Sequence, residues 1–212
     1  MTLGIYNLFE ILGVVLGLLA ARCLSIPKAE NKNGLSVYIC LLLGLIIGMK
    51  LPVIISYGFE GNLGFTGKSF MGGVLGAFTA INLYKIFTHQ NQSSFGGRFV
   101  IPLAIAAGIG KIGCYFNGCC ASCCGIPVQL IESVFQIIAA FSLFLFYRRT
   151  KRADLLFPVY LLSYLIMRFL VEFIRTEPRV IGPFTIYHIL AVIYIPIVFL
   201  VLRRRRRDGV CQ

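Results

Sequence analysis

Two groups of residues in this chain could do chemistry that their apolar surroundings would not otherwise tolerate. The first is Arg168 and Glu172, four apart inside a long apolar run. That spacing puts them on one helix face, where they can pair. The second is the stretch Gly108–Glu132, GIGKIGCYFNGCCASCCGIPVQLIE, which carries Lys111, Asn117, Gln129 and Glu132 and five of the eight cysteines. Polar groups at membrane depth survive only when they face a partner or a watery cavity. Unlike charges gathered near one face meet the needs of a phosphate-bearing headgroup. The cations hold phosphate, and a carboxylate orients them or accepts a proton. The plainer alternative for Arg168 and Glu172 is a buried pair that locks helices together.

The cysteines admit three readings. Cys119, Cys120, Cys123 and Cys124 stand at CxxxC and CxxC separations, which suit zinc or another soft metal. An outer-face location would permit disulfides, and small residues filling a crowded bend are the third possibility. His188 lies in an apolar run and reads first as a hydrogen-bonded packing histidine, while His89 sits in a polar loop. Tyr6, at the start of the first apolar run, suits a membrane interface without further role.

The elements that must position these groups are membrane spans. The chain has 212 residues, 58% of them hydrophobic and 13% charged, with a mean hydropathy of +0.86. A soluble domain of this size could not hide so much apolar surface. The formal charge of +12 resides in short clusters between apolar runs, the last being Arg203 to Arg207. That pattern reads as membrane topology and argues against nucleic-acid binding; the arginine run also suits anionic headgroups. The N-terminus lacks a positive residue before its apolar run and has Glu10 inside it, unlike a cleaved signal.

Seven spans are expected: Ile5–Leu24, Leu35–Tyr57, Phe70–Phe87, a short one from Phe99 to about Ile112, Val128–Tyr147, Leu155–Ile174 and Phe184–Leu202. Gly13 with Gly17, Gly44 with Gly48, and Gly72 with Gly76 repeat at one-turn spacing, which suits closely crossed helices. Alternating the loops gathers Arg22, Lys28, Lys32, Lys85, Arg98, the 148–152 cluster and the arginine tail on one side. The other side receives Lys50, Lys68, Lys111, Arg175 and Arg179. The expectation is therefore an all-α membrane protein of seven transmembrane helices with its N-terminus outside and its C-terminus cytoplasmic. Residues 1–202 would form one transmembrane domain and 203–212 a basic tail, with the cysteine stretch near the outer face.

Several blocks, in order along nearly the whole chain, resemble the bacterial prolipoprotein diacylglyceryl transferases. GKIGCYFNG at Gly110–Gly118 is similar to their GRxGNFxNG signature, PVQLIES at Pro127–Ser133 to HPSQLYE, and RFLVEFIR at Arg168–Arg175 to RFxxEFxR. FMGGVLG at Phe70–Gly76 resembles FHGGLIG, and Tyr6 through Arg22 aligns with the family's first span. The resemblance implies a seven-span protein of the bacterial inner membrane. The reaction it implies moves a diacylglyceryl group from phosphatidylglycerol to the thiol of a lipobox cysteine, without a cofactor. The implied partners are a membrane phospholipid and a lipobox-bearing prolipoprotein. Lys111, Arg168, Glu172 and Cys119 become the candidate catalytic residues. Tyr6, Lys50, Gly72, Gly73, Gly113, Cys114, Asn117, Gly118, Gln129 and Glu132 become candidate substrate contacts.

The sequence also departs from the family pattern. Met71 stands where the family has histidine, Lys111 where it has arginine, Cys114 where it has asparagine and Cys119 where it has glutamate. The segment between NG and PVQL is short, so most of the family's outer head region is missing. Tyr6, Asn117, Gln129, Glu132, Arg168 and Glu172 remain in register. The alternative is a cysteine-rich, thiol- or metal-handling membrane protein on the same scaffold, with Cys119, Cys120, Cys123 and Cys124 as metal candidates. A non-catalytic lipid-binding relative is the third reading.

Overall fold

The computed structural model describes residues 2–24, 26, 34–58, 67–88, 96–118 and 125–208. The chain is a seven-span all-α membrane protein: seven helices among the described residues are long and apolar enough to cross a bilayer. They are α1 (Thr2–Cys23), α2 (Gly34–Tyr57), α3 (Phe70–Thr88), α4 (Gly97–Phe116), α5 (Val128–Thr150), α6 (Ala153–Glu172) and α7 (Ile186–Asp208), with β1 (Arg179–Ile181) and β2 (Phe184–Thr185) before α7. Prolines 52, 102, 158 and 196 lie inside helices, as membrane bundles tolerate. The chain divides into two compact units. One comprises 1–28, 94–176 and 193–212, and the other 29–93 and 177–192.

The first unit holds α1, α4, α5, α6 and most of α7. Gly13 and Gly17 bring α1 against the α4 backbone at Ala106 and Pro102. Farther along, Gly113 of α4 lies under the Phe9 side chain of α1. α4 meets α5 through the Ser133 hydroxyl, which donates to the Gly108 carbonyl at 2.8 Å inside the bundle. Lys151 ends α5 in the left-handed conformation at φ 56°, its N–H donating to the Tyr147 carbonyl. Arg152 then donates to Asp154 and, at 2.7 Å, to the Arg205 carbonyl. Arg205 returns a bond to the Asp154 carbonyl at 2.6 Å.

Two boundaries differ from expectation. The fourth span does not stop near Ile112 but continues to Phe116, with Gly113 packed against Phe9 of α1. Gly118 then takes φ +68°, a conformation glycine adopts without penalty. Gly113 and Cys114 are consequently helical residues. The seventh helix starts after a two-stranded hairpin and runs through the arginine run to Asp208. The arginine run extends the helix because Arg205 is bonded back to the start of α6, and cations suit a helix C-terminus.

The second unit packs α2 on α3 through glycines. A side chain on Gly76 would meet the Gly44 carbonyl, and one on Gly48 the Gly72 carbonyl. Ser69 starts α3, its hydroxyl accepting from the Gly72 N–H at 3.1 Å, the usual N-cap bond. Tyr57 closes α2 by donating to Glu177 at 2.9 Å. In the hairpin, Thr185 donates its N–H to His188 Nδ1 at 3.3 Å, and Phe184 meets the His188 ring edge-on. His188 thus fastens the hairpin to the first turn of α7, as the packing reading expects.

Gly76→Leu is expected to destabilise this unit by about 1–3 kcal/mol or more, since a backbone carbonyl cannot step aside. Thermal unfolding in detergent checks it. Gly4→Leu, with open space around the site, should leave the transition unchanged.

Candidate functional site

The candidate site is built in the first unit where α4, α5 and the end of α6 meet. Each helix delivers an ionisable side chain: Lys111 from α4, Glu132 from the first turns of α5, and Arg168 and Glu172 from the last turns of α6. Arg175 follows just beyond the α6 terminus, its N–H donating to the Glu172 carbonyl at 3.3 Å.

Glu132 is the hub. One carboxylate oxygen pairs with Lys111 Nζ; the other pairs with Arg168 Nη1 and, at 3.3 Å, with Arg175 Nη1. Glu172 is held from the other side by Arg168 Nη2 at 3.0 Å and Arg175 Nε at 3.7 Å. Arg168 therefore spans the two carboxylates with separate guanidinium nitrogens, a fork that a lysine could not supply. Three cations surround two carboxylates, leaving one positive charge in excess. Burying ions is costly unless they are paired, and here every one is. Lys111 is the open edge: its side chain is 15% exposed, against 6% for Arg168 and 1% for Glu132.

The structure brings Lys111, Glu132, Arg168 and Glu172 together on shared partners. Arg175 joins them, although it was not among the candidates read from the sequence. It lies three after Glu172 and seven after Arg168, as the last residue of the RFLVEFIR block. Gln129 is buried one turn before Glu132. Cys114 is half-buried one turn after Lys111 and forms no disulfide among the described residues. Asn117 caps α4, donating its N–H to the Gly113 carbonyl at 3.0 Å, and Gly118 is exposed. Tyr6 lies beside Gly113 through its backbone carbonyl.

Lys50, Gly72 and Gly73 belong to the second unit. There Lys50 donates to the Gly67 carbonyl at 3.1 Å, Gly72 abuts Gly48 and Pro52, and Gly73 abuts Met49. Cys119, Cys120, Cys123 and Cys124 lie outside the described residues, as does any metal site they would form.

A buried, charge-rich centre in a helical membrane protein is what a lipid headgroup enzyme needs, and comparison with known proteins gives it a family. The family model for prolipoprotein diacylglyceryl transferase matches residues 1–203. The chain belongs to the prolipoprotein diacylglyceryl transferase family. It is 27% identical over 215 residues to the phosphatidylglycerol–prolipoprotein diacylglyceryl transferase of Clostridium tetani, covering 81% of this chain and 86% of that protein. The Campylobacter hominis transferase is 26% identical over 215 residues, covering 85% and 77%. That of Idiomarina loihiensis is 31% identical over 151 residues, covering 62% and 54%.

Membership in the diacylglyceryl transferase family sharpens the meaning of the departures. Lys111, standing where the family pattern has arginine, still reaches the Glu132 carboxylate. Met71, standing where the pattern has histidine, is buried and carries no ionisable group.

Proposed function

We propose that this chain is a transferase that moves a diacylglyceryl group from phosphatidylglycerol to the cysteine thiol of a prolipoprotein. We place it in the bacterial inner membrane, N-terminus outside and C-terminus cytoplasmic. The orientation is supported by the gathering of Arg148, Arg149, Lys151, Arg152 and Arg203 to Arg207 at one end of the first unit. The observation that carries the activity is the buried centre with one positive charge in excess, matched to a phosphodiester bearing one negative charge.

In the reaction, the cysteine sulfur forms a bond to the terminal glycerol carbon of the diacylglyceryl group as the bond from that carbon to the phosphate oxygen breaks. The electron pair of the broken bond leaves on glycerol phosphate. The thiol proton ends on that product, whose second ionisation lies near neutrality, or in water. Lys111, Arg168 and Arg175 stabilise the charge that grows on the departing phosphate. Fixed donors inside a low-dielectric site do this without reorganising. Glu132 and Glu172 hold the cations in place. Met71 cannot take a proton, so no base is assigned there.

The test is direct. Purified protein is given phosphatidylglycerol and a peptide carrying a lipobox cysteine. The peptide should gain the mass of one diacylglyceryl group, and glycerol phosphate should appear in equal amount. An unmodified peptide, under conditions where the Clostridium tetani transferase converts it, would overturn the proposal.

A further inference from the structure

A polar ladder leads from the ion centre into the middle of the first unit. On α6, Tyr160, Tyr164, Arg168 and Glu172 follow at four-residue intervals, and the two tyrosine rings stack 6.0 Å apart at 10°. On α5, Gln136 stands one turn inward from Glu132 and is 0% exposed. Its Oε1 accepts from the Tyr160 hydroxyl at 2.8 Å. Its Nε2 is buried and meets no acceptor among the described residues. An amide donor left bare in a bundle interior is costly, and polar groups at such depth mark substrate paths.

We propose that the Gln136 amide is the hydrogen-bond donor for an ester carbonyl of the bound diacylglycerolipid. The inference rests on the transferase reading of the ion centre and names the part of the lipid that lies beyond it. A phosphate held by Lys111 and Arg168 leaves the glycerol unit pointing into the bundle, with its ester carbonyls a few bonds farther on. Four helical residues rise about 6 Å, a reach that suits the glycerol unit. An ester carbonyl accepts hydrogen bonds and donates none, so it satisfies Nε2 without disturbing the Tyr160 bond. Past this level α5 and α6 present Ala140, Leu143 and Leu156 to the interior, apolar surroundings fit for acyl chains. Gln136 would thus set specificity for ester-linked over ether-linked lipids.

The experiment reads binding, not transfer. Phosphatidylglycerol labelled with carbon-13 at the ester carbonyls is bound to the purified wild-type protein, and its infrared carbonyl stretch is recorded. A bound fraction shifted to lower frequency is expected, and the shift should vanish in Gln136→Met. Wild type should also bind the diester lipid about 5- to 10-fold more tightly than its diether analogue, the worth of one such bond. The Met variant should bind both alike. Carbonyls that stretch as in protein-free micelles, or equal binding of diester and diether by wild type, would overturn the inference, water then being the partner of Nε2. So would a Met variant that keeps the preference. A protein that binds with the shift but never transfers keeps this inference and loses the transferase reading; one that binds no phosphatidylglycerol loses both.

Discussion

Glu132→Ala is expected to destabilise the protein by about 3–5 kcal/mol, the cost of leaving buried charge uncompensated. Glu132 is 1% exposed and serves Lys111, Arg168 and Arg175 together. Without it, Arg168 and Arg175 would share Glu172 alone, and Lys111 would lose its only ion-pair partner among the described residues. Removing one cation at the same time should recover part of the loss. The double variant Glu132→Ala with Lys111→Met should therefore be more stable than the sum of the singles, by a coupling energy of about 0.5–3 kcal/mol. Thermal or denaturant unfolding in one detergent measures all four proteins. A Glu132→Ala protein within about 1 kcal/mol of wild type would mean that water reaches the centre and screens it.

Lys111→Met should leave the fold largely intact and lower kcat/KM for diacylglyceryl transfer about 100- to 1,000-fold. That range is the loss seen when one fixed donor to a developing oxyanion is removed, about 2.7–4 kcal/mol. The small effect on the fold follows from its place at the open edge of the centre, where solvent eases the loss of a charge. Lys111→Arg should stay within about 10-fold of wild type, since it keeps the charge and adds a second donor. Initial rates with phosphatidylglycerol and a lipobox peptide decide the matter. If Lys111→Met kept half the wild-type rate, Lys111 would belong to the structure alone.

Much of this was legible in the residue pattern. Seven apolar runs show themselves because lipid demands length and low charge from each span. Arg168 and Glu172 were identified by one-turn spacing at a depth where charge is rare. Three features were hidden for physical reasons. The fourth helix runs past its expected end near Ile112, because glycines that suggest a break serve helix contact in a bundle, as Gly108 and Gly113 do. Arg175 stands past the helix end, where sequence periodicity no longer vouches for direction. Gln136 is a single polar residue in an apolar run, and nothing local says that Tyr160, on another helix, takes only half of its amide. The hairpin before α7 was missed because its strands are three and two residues long, too short for alternation to register.

The central claim is that Lys111 and Arg168 close on one phosphate. A structure of the protein with bound phosphatidylglycerol tests it most directly. The account places a phosphate oxygen within hydrogen-bonding distance of Lys111 Nζ, about 2.7–3.2 Å, with a guanidinium of Arg168 or Arg175 on the same group. A headgroup seated elsewhere, with the Lys111–Glu132–Arg168 bridge closed and untouched beneath it, would contradict the account and leave the ion pairs as helix fasteners.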